Sequence, residues 1–368
     1  MPLKQLAEGP PVPTGVLWSS ETQSLVQRGV VLPCVSNYLL PGVFGIDAAD
    51  LALSWASQSK SPLSDADNSS LARVAQFVTV RENSAREARL AFHDLLKGSL
   101  LAQAKDEPGV DKEYVYGLID DTDRRQATSF SEIARNLGYP RFPDPSRNPL
   151  RLLAELPLPM YLTTSQHTFL EVALAQTGSK HPVSEIFYWD ASQDSIGSIF
   201  EREPNYQPTV DRPLVYHLFG IDTYPESMVL SEDDYVSILI RLCELKRDVK
   251  VGESGRDISS GVKFDLPSDI KRALSGFGLL LLGYNVGDWD FRVLFRWLVR
   301  YIRDSREGQY APKAVCMQLH PDTAAGDPEK QAKIEQYLID FFAQKDFRVY
   351  WGDPETCVWE LWSRWKRS

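Results

Sequence analysis

Leu279-Leu280-Leu281-Leu282 is an unbroken apolar run closed by Gly283. A strand with one wet face alternates apolar and polar side chains, so a continuous run must bury both faces. Sheets covered on both faces are parallel sheets with helices packed on each side. This run constrains the chain to α/β layering before any other segment is read.

The rest of the chain keeps step. β-prone runs are expected at Val30–Val35, Met160–Thr164, Ile186–Trp189, Leu214–Phe219, Met228–Leu230, Ala314–Leu319 and Phe347–Tyr350. Helical segments fall between them: Thr168–Ala175, a helix capped by Ser231 and running to about Lys246, and an amphipathic helix from Asp288 or Asp290 to Arg303. Lys333–Phe342 and a last helix carrying Trp359, Trp362 and Trp365 complete the set. Strands alternating with helices of roughly 10–15 residues predict a Rossmann-like, doubly wound parallel sheet. Residues 47–150 break the alternation, because Leu51, Leu53, Trp55, Leu71, Val74, Ala75 and Phe77 recur at helical spacing. They are expected as a helical insertion within a single domain spanning 1–368.

Composition then narrows the function classes. The net charge of −10 argues against a nucleic-acid footprint over the whole domain, leaving at most a local basic patch. No apolar run reaches the ~18–20 residues of a membrane span. Pro10, Pro11 and Pro13 do not fit the basic-then-apolar layout of a signal peptide. Cys34, Cys243, Cys316 and Cys357 lie far apart with no Cys-x-x-Cys pair, so neither a zinc ribbon nor a disulfide framework is indicated. No metal is expected, and the cytoplasm is the expected compartment.

Ligands of open parallel sheets bind beyond the carboxyl ends of the strands. That singles out Cys34–Asn37, Thr163–His167, His217–Asp222 and Gly283–Asp290. None carries a Gly-x-Gly-x-x-Gly, a Gly-x-Ser-x-Gly, a phosphate loop or a His-Glu-x-x-His.

Taken in order, four blocks resemble the sirtuin-like (silent information regulator two-like) family, in its prokaryotic branch without a zinc module. They are Tyr161-Leu162-Thr163-Thr164-Ser165-Gln166-His167-Thr168-Phe169-Leu170-Glu171, Leu214-Val215-Tyr216-His217-Leu218-Phe219-Gly220, Val229-Leu230-Ser231-Glu232-Asp233-Asp234-Tyr235, and Leu282-Gly283-Tyr284-Asn285-Val286-Gly287-Asp288-Trp289-Asp290 continuing to Leu294. The resemblance covers roughly residues 155 to 300, and the C-terminal Val349-Tyr350-Trp351-Gly352 also fits.

The resemblance implies NAD bound at the strand ends and cleaved at the nicotinamide–ribose bond. It also implies nucleotide contacts from Ser36, Asn37, Thr163, Thr164, Gly220, Gly283, Tyr284, Asn285 and Asp288. Family members place an Asn and an Asp in a Thr-Thr-Asn-x-Asp block, and a His directly before the Gly at the end of a later strand. Here Ser165 stands for the Asn, His167 for the Asp, and Phe219 for the His before Gly220. Cys34-Val35-Ser36-Asn37 stands where a Gly-rich turn would let backbone N–H groups approach a diphosphate.

Two histidines offer a compensation. His217 shares a strand face with Phe219, and His167 lies where a strand feeds a helix. With an ordinary pKa of ~6.5, either can act as acid or base. Ser165, His167 and His217 are therefore the candidate catalytic group. The competing reading makes His217 a satisfied core histidine and His167 a helix cap.

Asp288 and Asp290 are read either as ribose ligands or as caps of the following helix. Arg292, Arg296, Arg300 and Arg303 read as a solvated stripe, or as a docking face for an acidic partner or nucleic acid. The turn Glu232-Asp233-Asp234 reads as helix-start electrostatics rather than a metal site.

Two functions from different classes follow. One is an NAD glycohydrolase (NADase) acting as an effector of bacterial anti-phage defence. The other is a sirtuin-like subunit that has lost catalysis and binds NAD or ADP-ribose, or scaffolds a complex. The resemblance also implies a homo-oligomer and a nucleic-acid sensor or DNA-translocase-type ATPase as partner. A dehydrogenase is disfavoured by the missing glycine fingerprint.

Overall fold

The computed structural model describes residues 20–36, 48–141, 144–245, 265–306, 315–319, 328–344 and 347–367. Seven strands build one sheet: β1 Val31–Val35, β2 Met160–Thr163, β3 Val183–Ile186, β4 Leu214–His217, β5 Gly278–Tyr284, β6 Val315–Leu319 and β7 Phe347–Trp351. Their spatial order is β3-β4-β2-β1-β5-β6-β7, and every neighbouring pair is parallel.

The leucine run occupies the centre of this sheet. All seven residues of β5 are buried. Leu280 and Leu282 face one core with Val31, Val35 and Val215. Leu279 and Leu281 face the other with Leu32, Cys34, Leu214 and Tyr216. The period-two alternation therefore sends successive leucines into different cores, and each contributes about 1.5–3 kcal/mol of burial. Helices Trp289–Arg306 and Glu232–Glu244 cover the second core, through Phe291, Val293, Leu294, Trp297, Leu298, Ile238 and Leu242. Helices Pro149–Glu155 and Pro354–Arg367 cover the first, where Trp359, Trp362 and Trp365 pack against it.

Between β1 and β2 the described residues form helices and connecting turns, including Ala48–Ser59, Leu71–Glu82, Ala85–Asp106 and Phe130–Asn136. Trp55, Val74, Phe92, Leu100, Phe130 and Ile133 belong to the same buried cluster as Val35 and Leu280. These helices thus share a core with one sheet face.

Two strand expectations need correction. The expected strand Ile186–Trp189 is displaced, because pairing with β4 begins at Val183 and ends at Ile186. Met228–Leu230 is not a strand: it follows a single helical turn, Pro225–Ser227, and bonds back to the β4 end through Val229 N–H on Phe219 C=O at 3.0 Å. Its three apolar residues are buried by that return path, which an apolar run cannot distinguish from a ladder position.

The acidic turn has a role beyond helix-start electrostatics. Ser231 caps helix Glu232–Glu244 by accepting Asp234 N–H, and Asp234 returns the bond to the Ser231 N–H. The same turn clasps the preceding helices. Arg89 donates to Asp234 at 2.8 Å, Arg73 reaches Glu232, and Gln76 donates to Asp233. The Arg89–Asp234 side chains are only 8% and 11% exposed, and Arg89 also lies over the Trp189 ring. Breaking a buried pair of this kind strands a charge, whereas the exposed Arg73 pair adds little.

Of the expected arginine stripe, Arg292, Arg296 and Arg300 are exposed, and the side chain of Arg303 lies outside the described residues. No described helix is long and apolar enough to cross a membrane.

Candidate functional site

From β1 the chain first builds β2, β3 and β4 on one side, then β5, β6 and β7 on the other. The order reverses at β1, whose neighbours are β2 and β5. A crevice at the carboxyl ends of such strands is where open α/β sheets bind ligands.

Backbone and hydroxyl bonds tie these strand ends together. Ser36 N–H donates to Leu282 C=O at 3.0 Å, and Ser36 Oγ donates to Gly283 C=O, so the ends of β1 and β5 are tied together. Gly283 sits at φ 75°. Thr163 Oγ1 donates to Val35 C=O at 2.8 Å and accepts Ser165 N–H at 2.9 Å. Thr164 Oγ1 lies 3.3 Å from the Tyr284 hydroxyl and 3.2 Å from Asp290 Oδ2. Asn285 shapes the turn after β5, with its Oδ1 accepting Gly287 N–H at 2.9 Å. Asp288 C=O accepts Arg292 N–H at 3.0 Å, which starts helix Trp289–Arg306. Asn37 lies outside the described residues.

Asp290 is the unusual carboxyl here. Burial, and then the neighbouring Asp288, push its pKa up to about 7. The folded state therefore holds this proton more tightly than the unfolded chain, and stability falls as pH rises from about 4 to 7. Asp290→Asn is expected to melt like the wild type near pH 3.5, where the carboxyl is protonated in both states, and to be the more stable protein at pH 8, by up to about 4 kcal/mol. Equal melting temperatures at both pH values would contradict this.

The two histidines are held by different carboxylates. His217 is wholly buried. Its Nδ1 meets Ser165 C=O at 2.9 Å and its Nε2 meets Glu171 Oε1 at 2.7 Å. A carbonyl only accepts, so Nδ1 carries a proton, and the short Nε2–Glu171 contact holds a second. Burial opposes the charge, but Glu171 outweighs it and the His217 pKa is raised. Ser184 Oγ donates to the same Glu171 oxygen at 2.8 Å. Both ring nitrogens are thus occupied away from the Ser165 hydroxyl.

His167 takes another direction. Its ring lies between Phe130 and Phe169, with centroids 4.8 and 5.5 Å away, and Nδ1 is 3.6 Å from Asp222 Oδ2. Its backbone N–H, not its ring, reaches Ser165 Oγ at 3.3 Å. Asp222 Oδ2 also accepts Ser131 N–H at 2.6 Å and Ser131 O–H at 2.5 Å. Ser165, His167 and His217 are therefore neighbours at adjoining strand ends, each imidazole with its own carboxylate. Glu171 and Asp222 were inside the quoted blocks and strand-end segments, but only contact geometry pairs them with the histidines.

Phe219 is 1% exposed and meets Tyr235 edge-on at 5.6 Å. Gly220 follows at φ 80°.

A family model described as SIR2-like domain matches residues 159–342, half of the chain and every strand from β2 to β6. The chain belongs to the SIR2-like family. No curated protein matches it. SIR2-like domains bind NAD, which makes this chain a sirtuin-like, NAD-related protein. Thr164, Asn285 and Asp290 bring hydroxyl, amide and carboxyl groups to the segments that follow β2 and β5. Among the described residues, no group of three or more His, Cys, Asp or Glu side chains could hold a metal ion.

Proposed function

We propose that this chain is an NAD- or ADP-ribose-binding SIR2-like subunit in which the bond-cleaving step has been lost. One observation carries the reading. The position of the histidine before Gly220 is filled by Phe219, buried against Tyr235, while His217 is locked between Glu171 and the Ser165 carbonyl. No imidazole is left at that position to exchange a proton with an acceptor. Thr164 and Asp290 would hold ribose hydroxyls at the β1–β5 ends, with Ser36, Thr163, Gly283, Tyr284, Asn285 and Asp288 shaping the crevice.

A second reading is supported by His167. Its side chain is 13% exposed and stands beside a buried carboxylate, the arrangement of an oriented acid–base imidazole. In that case the chain is an NAD glycohydrolase. The C1′–N bond breaks, nicotinamide leaves with the electron pair, and water adds to C1′ while His167 takes its proton. The resemblance supports a setting in bacterial anti-phage defence for either reading. There the chain would be one domain carrying 47–150 as an insertion, self-associating and paired with a DNA-translocase-type ATPase or nucleic-acid sensor.

The readings separate in one experiment. Purified protein, alone and with its genomic-neighbour partner, is titrated with NAD and ADP-ribose by calorimetry, then incubated with NAD and followed by chromatography. Binding without nicotinamide release is the expected result. Nicotinamide release that disappears in His167→Ala would replace the first reading with the second.

A further inference from the structure

The substitution of Phe219 for a polar residue leaves an aromatic column at the carboxyl end of the sheet. Phe219, at the end of β4, meets the Tyr235 ring edge-on at 5.6 Å with an interplanar angle of 86°. Tyr235, in the first turn of helix Glu232–Glu244, stacks on Trp289 at 5.8 Å and 17°. Trp289 is the first residue of helix Trp289–Arg306, next in sequence to the Asp290 that Thr164 contacts. Phe219 is buried, whereas Tyr235 and Trp289 each keep part of their surface exposed.

The column is held from several sides. Tyr235 N–H donates to Ser231 C=O at 3.1 Å, and the adjoining Asp234 is fixed by Arg89 and by the Leu230 and Ser231 N–H groups. Phe219 C=O accepts Val229 N–H at 3.0 Å and Gln166 Nε2–H at 3.3 Å. The column ends in a partly exposed indole, next in sequence to the carboxyl of the Thr164–Asp290 pair.

We propose that Trp289, backed by Tyr235 and Phe219, is the stacking platform for a heteroaromatic ring of the bound nucleotide, with Thr164 and Asp290 taking the attached ribose. This rests on the nucleotide-binding reading of the same crevice and adds which part of the ligand is recognised. A planar ring laid on an aromatic face supplies affinity without reading hydrogen-bonding edges, so adenine and nicotinamide are both accommodated chemically.

The test uses the full chain and four probes by calorimetry: NAD, ADP-ribose, nicotinamide mononucleotide and ribose 5-phosphate. Trp289→Ala is expected to weaken ring-bearing probes by about tenfold or more. Trp289→Phe, which keeps a π face, should stay within about threefold, and ribose 5-phosphate binding should be unchanged in both variants. Loss confined to NAD and ADP-ribose assigns the platform to adenine. Loss confined to NAD and the mononucleotide assigns it to nicotinamide. If Trp289→Ala fails to melt cooperatively, Trp289→Leu, which keeps apolar bulk, is read in its place. Folded variants that bind all four probes like the wild type, or lose all four equally, overturn the platform. A wild type that binds none of the four overturns the nucleotide reading together with it.

Discussion

Gly220→Ala is expected to destabilise the chain by more than about 4 kcal/mol, enough to remove most of the soluble folded protein. Two costs combine. Gly220 sits at φ 80°, where an alanine costs about 1–2 kcal/mol. The second cost is larger, because a Cβ there would land inside the contact distance of the Ser227 carbonyl and the Met228 nitrogen. Those atoms cannot yield cheaply. Ser227 C=O accepts Trp189 Nε1–H at 3.1 Å, and Ser227 Oγ accepts Ile221 N–H at 2.9 Å. The whole return from β4 to Val229 is packed over this glycine. Thermal melting of the purified variant, or its recovery in the soluble fraction, checks the expectation. A melting temperature within a few degrees of the wild type would show that the return path is far softer than its bonds imply. The family resemblance implies nucleotide contact for Gly220, and the packing gives it a structural reason to be glycine.

The contrast between Gly220 and Leu279–Leu282 marks what was legible in the sequence. An apolar run without polar interruption has one inexpensive solution, so the layering, the parallel sheet and the helices on both faces could be read from a few segments. Strand edges could not. Ile186–Trp189 and Met228–Leu230 are apolar because they are buried, yet burial against a neighbouring turn satisfies them as well as a ladder does. The strand-end segments carrying the candidate site were legible for the same reason as the sheet. The partners inside them were not. Whether His217 faces Ser165 or Glu171 depends on which way the β4 end and helix Phe169–Gln176 meet, and no local spacing encodes that. The acidic turn likewise reads as a helix start, but its contacts with Arg73, Gln76 and Arg89 lie some 145 to 159 residues away in sequence.

Asp222→Ala is the second large effect expected, at about 3–5 kcal/mol. The Asp222 carboxylate is buried at the junction of three elements. It accepts two bonds from Ser131 at the start of helix Phe130–Asn136, and it faces the His167 ring after β2. Lys97 and His93, on helix Ala85–Asp106, are the other charged or titratable groups acting on this cluster. Alanine leaves Ser131 N–H without its acceptor and removes the negative charge facing Lys97 and His167. Burial opposes ionisation of Asp222, but His167 and then Ser131 outweigh it and hold its pKa below the usual carboxylate range. The sign follows from proton uptake. The unfolded chain binds the Asp222 proton at about 3.9 and the folded chain only at lower pH. The stabilisation is therefore complete above roughly pH 5 and disappears as pH falls through the folded value. His93 acts in a higher window: burial, and then Lys97, lower its pKa to about 4, so wild type and variant alike lose stability as pH falls from about 6.5. Denaturant unfolding of both proteins from pH 8 to pH 2.5 separates the two. The gap between them should be constant down to about pH 5 and close below it. A gap that persists at pH 2.5 would mean that Asp222 acts through packing and not through its charge, and the acidic clasp between the helices and the strand ends would have to be sought elsewhere.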